Sequence, residues 1–169
     1  HNCLVGSEMC IRDRANNKAP GQIVISGTNS GVKELSDLAM LKKAKKIIPL
    51  PVSVASHSYL MQEQSEIFKE FIKNIKISEP LIPVINNVDL KNEKIEKNIK
   101  DALVRQLYSS VRWVETIEYM EQQGVDTLLE LGPGKVLTSF NKRIDNSIKS
   151  LSVSDSNSLE TALEIVGSI

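Results

Sequence analysis

Short β-branched runs alternate with longer amphipathic stretches along this 169-residue chain, and that alternation constrains its architecture more than any other feature. Residues 21–27, GQIVISG, form an apolar run bracketed by glycines and read as a strand. Val32, Leu35, Leu38, Ala39 and Leu41 then recur at helical spacing, predicting a helix over 30–46 that closes on a lysine cluster. IIPLPVSV (47–54) reads as a strand with an edge or bend, because Pro49 and Pro51 give no amide to a ladder. A stripe from Leu60 through Ile67 and Phe71 to Ile75 predicts a helix over 58–75. LIPVINNVD (81–89) reads as a third short strand. Helices follow over 94–107 and 111–124, the second closed by Gly124 as a left-handed cap. VDTLLEL reads as a buried strand, GPGK as a tight turn, KVLTSFNKRI as a helix start and NSLETALEIVG as a last helix. Strands alternating with helices predict an α/β fold with a largely parallel sheet, whose ligands gather beyond the carboxyl ends of the strands.

Lysine plus arginine balances aspartate plus glutamate at 21 each, so overall charge favours neither nucleic acid nor membrane as a partner. No apolar run approaches the roughly 20 residues of a transmembrane helix, and the chain reads as soluble. The opening HNCLVGSEMCIRDR fits neither a signal peptide nor a helix, and GSEMCIRDR has the wording of a translated sequencing adapter. Residues 1–14 are therefore set aside as non-native, together with Cys3 and Cys10, from which no redox compartment follows.

His57, at the far end of the 47–54 run, is the one histidine outside that opening segment, and its strand-end position makes it a candidate general base. A base of this kind needs a nucleophile and an orienting acceptor within about 3 Å. The nucleophile elbow G-x-S-x-G occurs nowhere; in GTNSG (27–31) the serine comes one place too late. One credible histidine without paired cysteines or an H-E-x-x-H motif does not assemble a zinc site. GPGK (132–135) lacks the spacer and the Ser/Thr of a phosphate loop and reads as a structural turn. Lys42, Lys43, Lys45 and Lys46 read as a solvated helix end, and Trp113 and Tyr119 as core residues.

Six blocks, APGQIVISG, PLPVSVASHSYLM, PVINNVD, DALVRQLY, VRWVETIEYM and ELGPGKVLTSFNKRI, resemble in order and spacing the malonyl-CoA:acyl-carrier-protein transacylases, free-standing acyltransferases of bacterial fatty-acid synthesis. The resemblance runs from about Ala15 to the end. It implies an α/β-hydrolase-like large subdomain with an inserted ferredoxin-like small one, residues 15–47 being a remnant of the small subdomain and 48–169 the last part of the large. It also implies transfer of malonyl from malonyl-CoA, through a serine in a G-H-S-x-G turn, to the phosphopantetheine thiol of acyl carrier protein, without cofactor or metal. The match of VASH makes His57 the base, and the match of VRQLY makes Gln106 the residue whose backbone carbonyl holds the imidazole in place of a triad carboxylate. Asn16 and Ser56 are expected to line the cleft, although Lys18 stands where relatives often keep a second asparagine. The nucleophilic serine, the arginine that pairs with the malonyl carboxylate and the glutamine loop of the oxyanion hole would all precede Ala15, so the chain as written is expected to be an inactive carboxyl-terminal fragment. The implied parent is a cytoplasmic monomer. Two alternatives stand beside it: the acyltransferase domain of a polyketide or multidomain fatty-acid synthase, and a non-catalytic α/β binding module with a structural His57.

Overall fold

The computed structural model describes residues 12–19 and 21–167, so the cysteine-bearing start of the segment set aside above lies outside the described residues. Strand β1 (Arg12–Ala19) takes in the end of that segment and forms a two-stranded sheet with β2 (Gln22–Gly27). Gly21, at φ +74°, supplies the left-handed backbone between them. The chain resolves into two compact units, one containing Ile23–Val111 and the other containing Asn17–Gln22 and the chain from Arg112 onward.

In the first unit, α1 (Asn29–Leu41) starts at Thr28, whose Oγ1 accepts the Gly31 amide at 3.2 Å. It stops five residues short of the predicted end. Lys43 turns left-handed (φ +61°), its amide reaches Met40 O, and the Ala44 amide reaches Ala39 O, which is the paired bonding of a Schellman cap. The lysines at 42–46 accordingly sit on and beyond the cap, exposed.

Neither 47–54 nor 81–89 forms a strand. Ile48 and Val52 are 60% and 70% exposed, and in the second stretch one isolated bridge, Ile85 to Asn92, is all the pairing there is among the described residues. β-branched composition suits a pleated surface but does not create one; without a ladder partner, and with prolines removing donors, both segments stay irregular. His57 therefore follows an extended irregular segment rather than a strand. After the single 3-10 turn Tyr59–Met61, α2 (Gln62–Ile72) packs against α3 (Glu96–Gln106). Ile72, Ala102 and Val104 are buried there, whereas Ile67 and Phe71 of the predicted apolar stripe are exposed. Lys100 joins the two helices, donating to the Lys73 carbonyl at 2.9 Å while pairing with Glu96.

The second unit runs α4 (Trp113–Gln122), β3 (Thr127–Leu131), α5 (Val136–Ile144), β4 (Lys149–Val153) and α6 (Ser156–Gly167). Gly124 closes α4 at φ +84°, its amide on Glu121 O and the Val125 amide on Met120 O. β3 and β4 pair in parallel from Thr127–Lys149 to Leu131–Val153, and α5 crosses between them and packs on both. Ile117, Phe140, Ile148 and Ala162 form the core. β3 is half-exposed rather than buried, with Leu131 largely open to solvent. Trp113 and Tyr119 are likewise half-buried, and the Trp113 indole N–H donates to Asn141 Oδ1 at 3.0 Å.

Candidate active site

His57 is held by the backbone at the end of a helix. Its own backbone lies in the left-handed region at φ +61°, uncommon for a residue with a side chain and sustained only where surrounding contacts fix it. Ser58 supplies one such contact: fully buried, its hydroxyl donates to Ala55 O at 2.7 Å and closes the turn around His57. The Met61 amide reaches Ser58 O and starts the 3-10 turn that leads into α2.

The other two contacts come from the carboxyl end of α3. A helix leaves its last four carbonyls without helical partners. Here the chain beyond α3 folds back to serve two of them: the Leu107 amide bonds to Val104 O, and the Tyr108 and Ser109 amides bond to Arg105 O. The next two carbonyls receive His57. Its Nδ1 lies 3.0 Å from Gln106 O, and its backbone N–H donates to Leu107 O at 3.0 Å. A carbonyl only accepts, so Nδ1 carries the proton and Nε2 presents a lone pair. The arrangement can hold a neutral imidazole in one tautomer, the task that a carboxylate performs in a Ser-His-Asp triad. His57 is half-buried. Among the described residues no hydroxyl or thiol is hydrogen-bonded to Nε2.

The residue before Gln106 is also pinned. Arg105 meets Asp89 in a two-pronged pair, Nη1 to Oδ1 at 2.8 Å and Nη2 to Oδ2 at 2.5 Å, and its Nε reaches Asp101 at 2.7 Å. Hydrogen bonding to Asp89 raises the Arg105 pKa above its ordinary value; burial opposes the rise, and hydrogen bonding to Asp101 adds to it. Asp89 in turn belongs to a loop organised by Asn86, whose Oδ1 accepts the amides of Val88 and Asp89 and whose Nδ2 donates to Lys91 O.

Of the other residues singled out in the sequence, Ser56 is exposed immediately before His57, and Asn16 lies in β1 with its side chain outside the described residues. At the GPGK turn, Gly132 (φ +139°) and Gly134 (φ +100°) take left-handed backbones ahead of α5. The amides that could cradle a phosphate there are already occupied: Glu130 accepts from Leu137 N at 3.0 Å and from both Thr138 N and Thr138 Oγ1 at 2.7 Å. Burial works against the Glu130 carboxylate, but the Thr138 hydroxyl and the amides of Thr138, Leu137 and Val136 outweigh it and hold its pKa below the ordinary value. Among the described residues no group of three or more His, Cys, Asp and Glu could hold a metal ion, and no helix is long and apolar enough to cross a membrane.

No family model matches the chain. Individual proteins do. The malonyl CoA-acyl carrier protein transacylase of Haemophilus influenzae is 44% identical over 153 residues, 90% of this chain and 49% of its own length, and that of Bacillus subtilis is 44% identical over 152 residues, 89% and 47%. Among solved structures, an acyl carrier protein S-malonyltransferase from Vibrio cholerae superposes with a TM-score of 0.87 at 43% identity, covering 90% of this chain and 50% of that one. A malonyl-transacylase in complex with a type II PKS acyl-carrier protein gives a TM-score of 0.90 at 44% identity, covering 92% and 50%. The chain is a relative of these transacylases. It spans about half the length of the curated relatives it matches. An alignment of 153 residues in a chain of 169 necessarily contains His57 to Leu107, so the whole histidine cradle lies in the stretch shared with the transacylases. The likeness extends to the α/β mixture of elements. Sequence reasoning passed over two parts of that cradle, the Leu107 carbonyl and the Asp89–Arg105 pair. Both lie in or beside motifs that the transacylase resemblance had marked, NNVD and VRQLY.

Proposed function

We propose that this chain supplies the base of a malonyl transacylase, a protein that moves malonyl from malonyl-CoA to the phosphopantetheine thiol of an acyl carrier protein in fatty-acid synthesis. The observation that carries the reading is the 3.0 Å contact of His57 Nδ1 with Gln106 O, within a stretch shared with proteins of that name. Nε2 takes the proton of a serine hydroxyl as its oxygen attacks the malonyl thioester carbonyl. When the tetrahedral intermediate collapses, the C–S bond breaks and Nε2 returns the proton to the leaving CoA sulfur, leaving a malonyl ester on serine. Nε2 then takes the proton of the pantetheine thiol, whose sulfur attacks the ester, and hands that proton to the departing serine oxygen. His57 thus acts alternately as base and acid.

The serine turn, the malonate-pairing arginine and the glutamine loop have no counterpart in the 169 residues, so these residues alone are expected to transfer nothing. In this reading residues 15–47 are the remnant of a ferredoxin-like subdomain, 48–169 belong to an α/β-hydrolase-like one, and Asn16 and Ser56 line the cleft. The exposed lysines 42–46 offer positive charge to an acidic carrier protein. The protein works as a cytoplasmic monomer without cofactor. The neighbour bound to a type II PKS carrier supports a second reading, in which the carrier serves polyketide rather than fatty-acid synthesis.

The test is a malonyl-transfer assay on the reading frame continued upstream of Ala15, with fatty-acid and polyketide carrier proteins offered in turn. H57A should lower kcat/KM at least about 100-fold, the usual share of general acid–base catalysis. Turnover within threefold of the parent would overturn the assignment.

A further inference from the structure

We propose that Asp89 and Arg105 are positioning residues for His57: the two-pronged ion pair fixes the last turn of α3, whose next two carbonyls orient the imidazole. The inference rests on the reading of His57 as the base, and extends it to a pair of residues that reach the reacting atoms only through that histidine.

Three observations converge. The carbonyls that hold His57 belong to the two residues immediately after Arg105, so any fraying of that turn moves the acceptors of both the ring and the backbone amide. Helix ends fray because their carbonyls lack helical partners, and this last turn, whose carbonyls are served by the following amides and by His57, is tied to the rest of the unit by the Arg105 fork. The fork is directional: both prongs go to one carboxylate 16 residues away in sequence, on a loop that Asn86 holds rigid through two amides and a carbonyl. Arg105 and Asp89 are each less than a third exposed, which favours a persistent pair over the loosely held surface kind. Asp101 also bonds Arg105, but one turn back on α3 itself, and so ties the arginine only to its own helix.

These two carboxylates therefore make separable predictions. Asp89 fixes the helix end against the rest of its unit, and losing it should release the His57 ring. Asp101 does not, and losing it should leave the ring in place.

The experiment reads the tautomer of His57 directly, by ring 15N NMR of the 169-residue chain at a pH where imidazole is neutral. A blocked histidine amino acid in the same buffer serves as the unheld reference. In the parent, the His57 signals should report protonated Nδ1 and bare Nε2. D89N should move them toward the pattern of the free reference by more than half of the difference, D89E should restore the parent pattern, and D101N should keep it. Amide exchange at Ile72, buried in the same unit, monitors folding; if D89N loses protection there, R105K is read instead, since it keeps the positive charge but loses the fork, and it should shift the ring in the same direction. Parent signals in the D89N or R105K variant would overturn the positioning role while leaving His57 as base. A parent histidine already protonated on Nε2 would overturn the reading of His57 as the base, and this inference with it.

Discussion

Replacing Glu130 with glutamine tests whether the turn before α5 is held by charge or merely by shape. The carboxylate spans the GPGK turn with one oxygen on the Leu137 amide and the other on the Thr138 amide and hydroxyl, at 2.7–3.0 Å. Glutamine keeps one acceptor oxygen and presents an NH2 where the other stood, so at least one donor of the first turn loses its partner. Hydrogen bonds to a charged group contribute about 1.5–3 kcal/mol against about 0.5–1.5 for neutral ones, and charge at a helix amino end adds about 0.3–1 kcal/mol. Solvent screening at this half-buried position moves the total to the low end, about 1–2 kcal/mol. For a chain of this size that is a drop in Tm of roughly 2–8 °C. The effect has a definite pH signature. The folded carboxylate titrates below its ordinary value of 4.5, so its stabilisation is complete above that value and is lost as pH falls through the lower, folded pKa. Urea melts of parent and E130Q should differ by the full amount at pH 7 and converge as pH drops well below 4.5. Equal stabilities at pH 7, or a gap that persists in acid, would refute the charged cap.

Q106A should keep His57 in its parent tautomer and, in the extended reading frame, keep transfer activity within about twofold, because the bond uses the backbone carbonyl, which alanine also provides. A tenfold loss would show that the glutamine side chain itself contacts the reacting groups. G124A should cost about 1–2 kcal/mol in a denaturant melt, because a Cβ at φ +84° is strained even though it would meet no atom within 4 Å. No change in the midpoint would mean that α4 can end without its left-handed cap.

What could be read in advance follows the range of the interactions involved. α2 to α6 were visible because an amphipathic helix carries its period within its own residues. β4 was not: KSLSV has serines at 150 and 152 and only Leu151 and Val153 as apolar markers, and its pairing with β3 is a property of two segments together. The same dependence on a partner explains the opposite error at 47–54 and 81–89, where β-branched runs promised strands that found no ladder. α1 was overextended because Lys43 takes a left-handed conformation that its residue type does not advertise.

The site divides along the same line, with a consequence for recognising bases oriented in this way. A carboxylate orienting a histidine leaves an Asp or Glu to be found. A helix end doing the same task uses main-chain oxygens, which every residue has, so Gln106 could be nominated only by resemblance and Leu107 not at all. Selection can act on such a site only through side chains that fix where the main chain lies. In this unit those are the hydroxyl that closes the turn at Ser58, the Asn86 loop, and the Asp89–Arg105 fork. The signature of a histidine held in this way is therefore displaced from the groups that touch it to those that hold its acceptors still, and substitutions at these supporting residues should alter the behaviour of His57 more than loss of the Gln106 side chain.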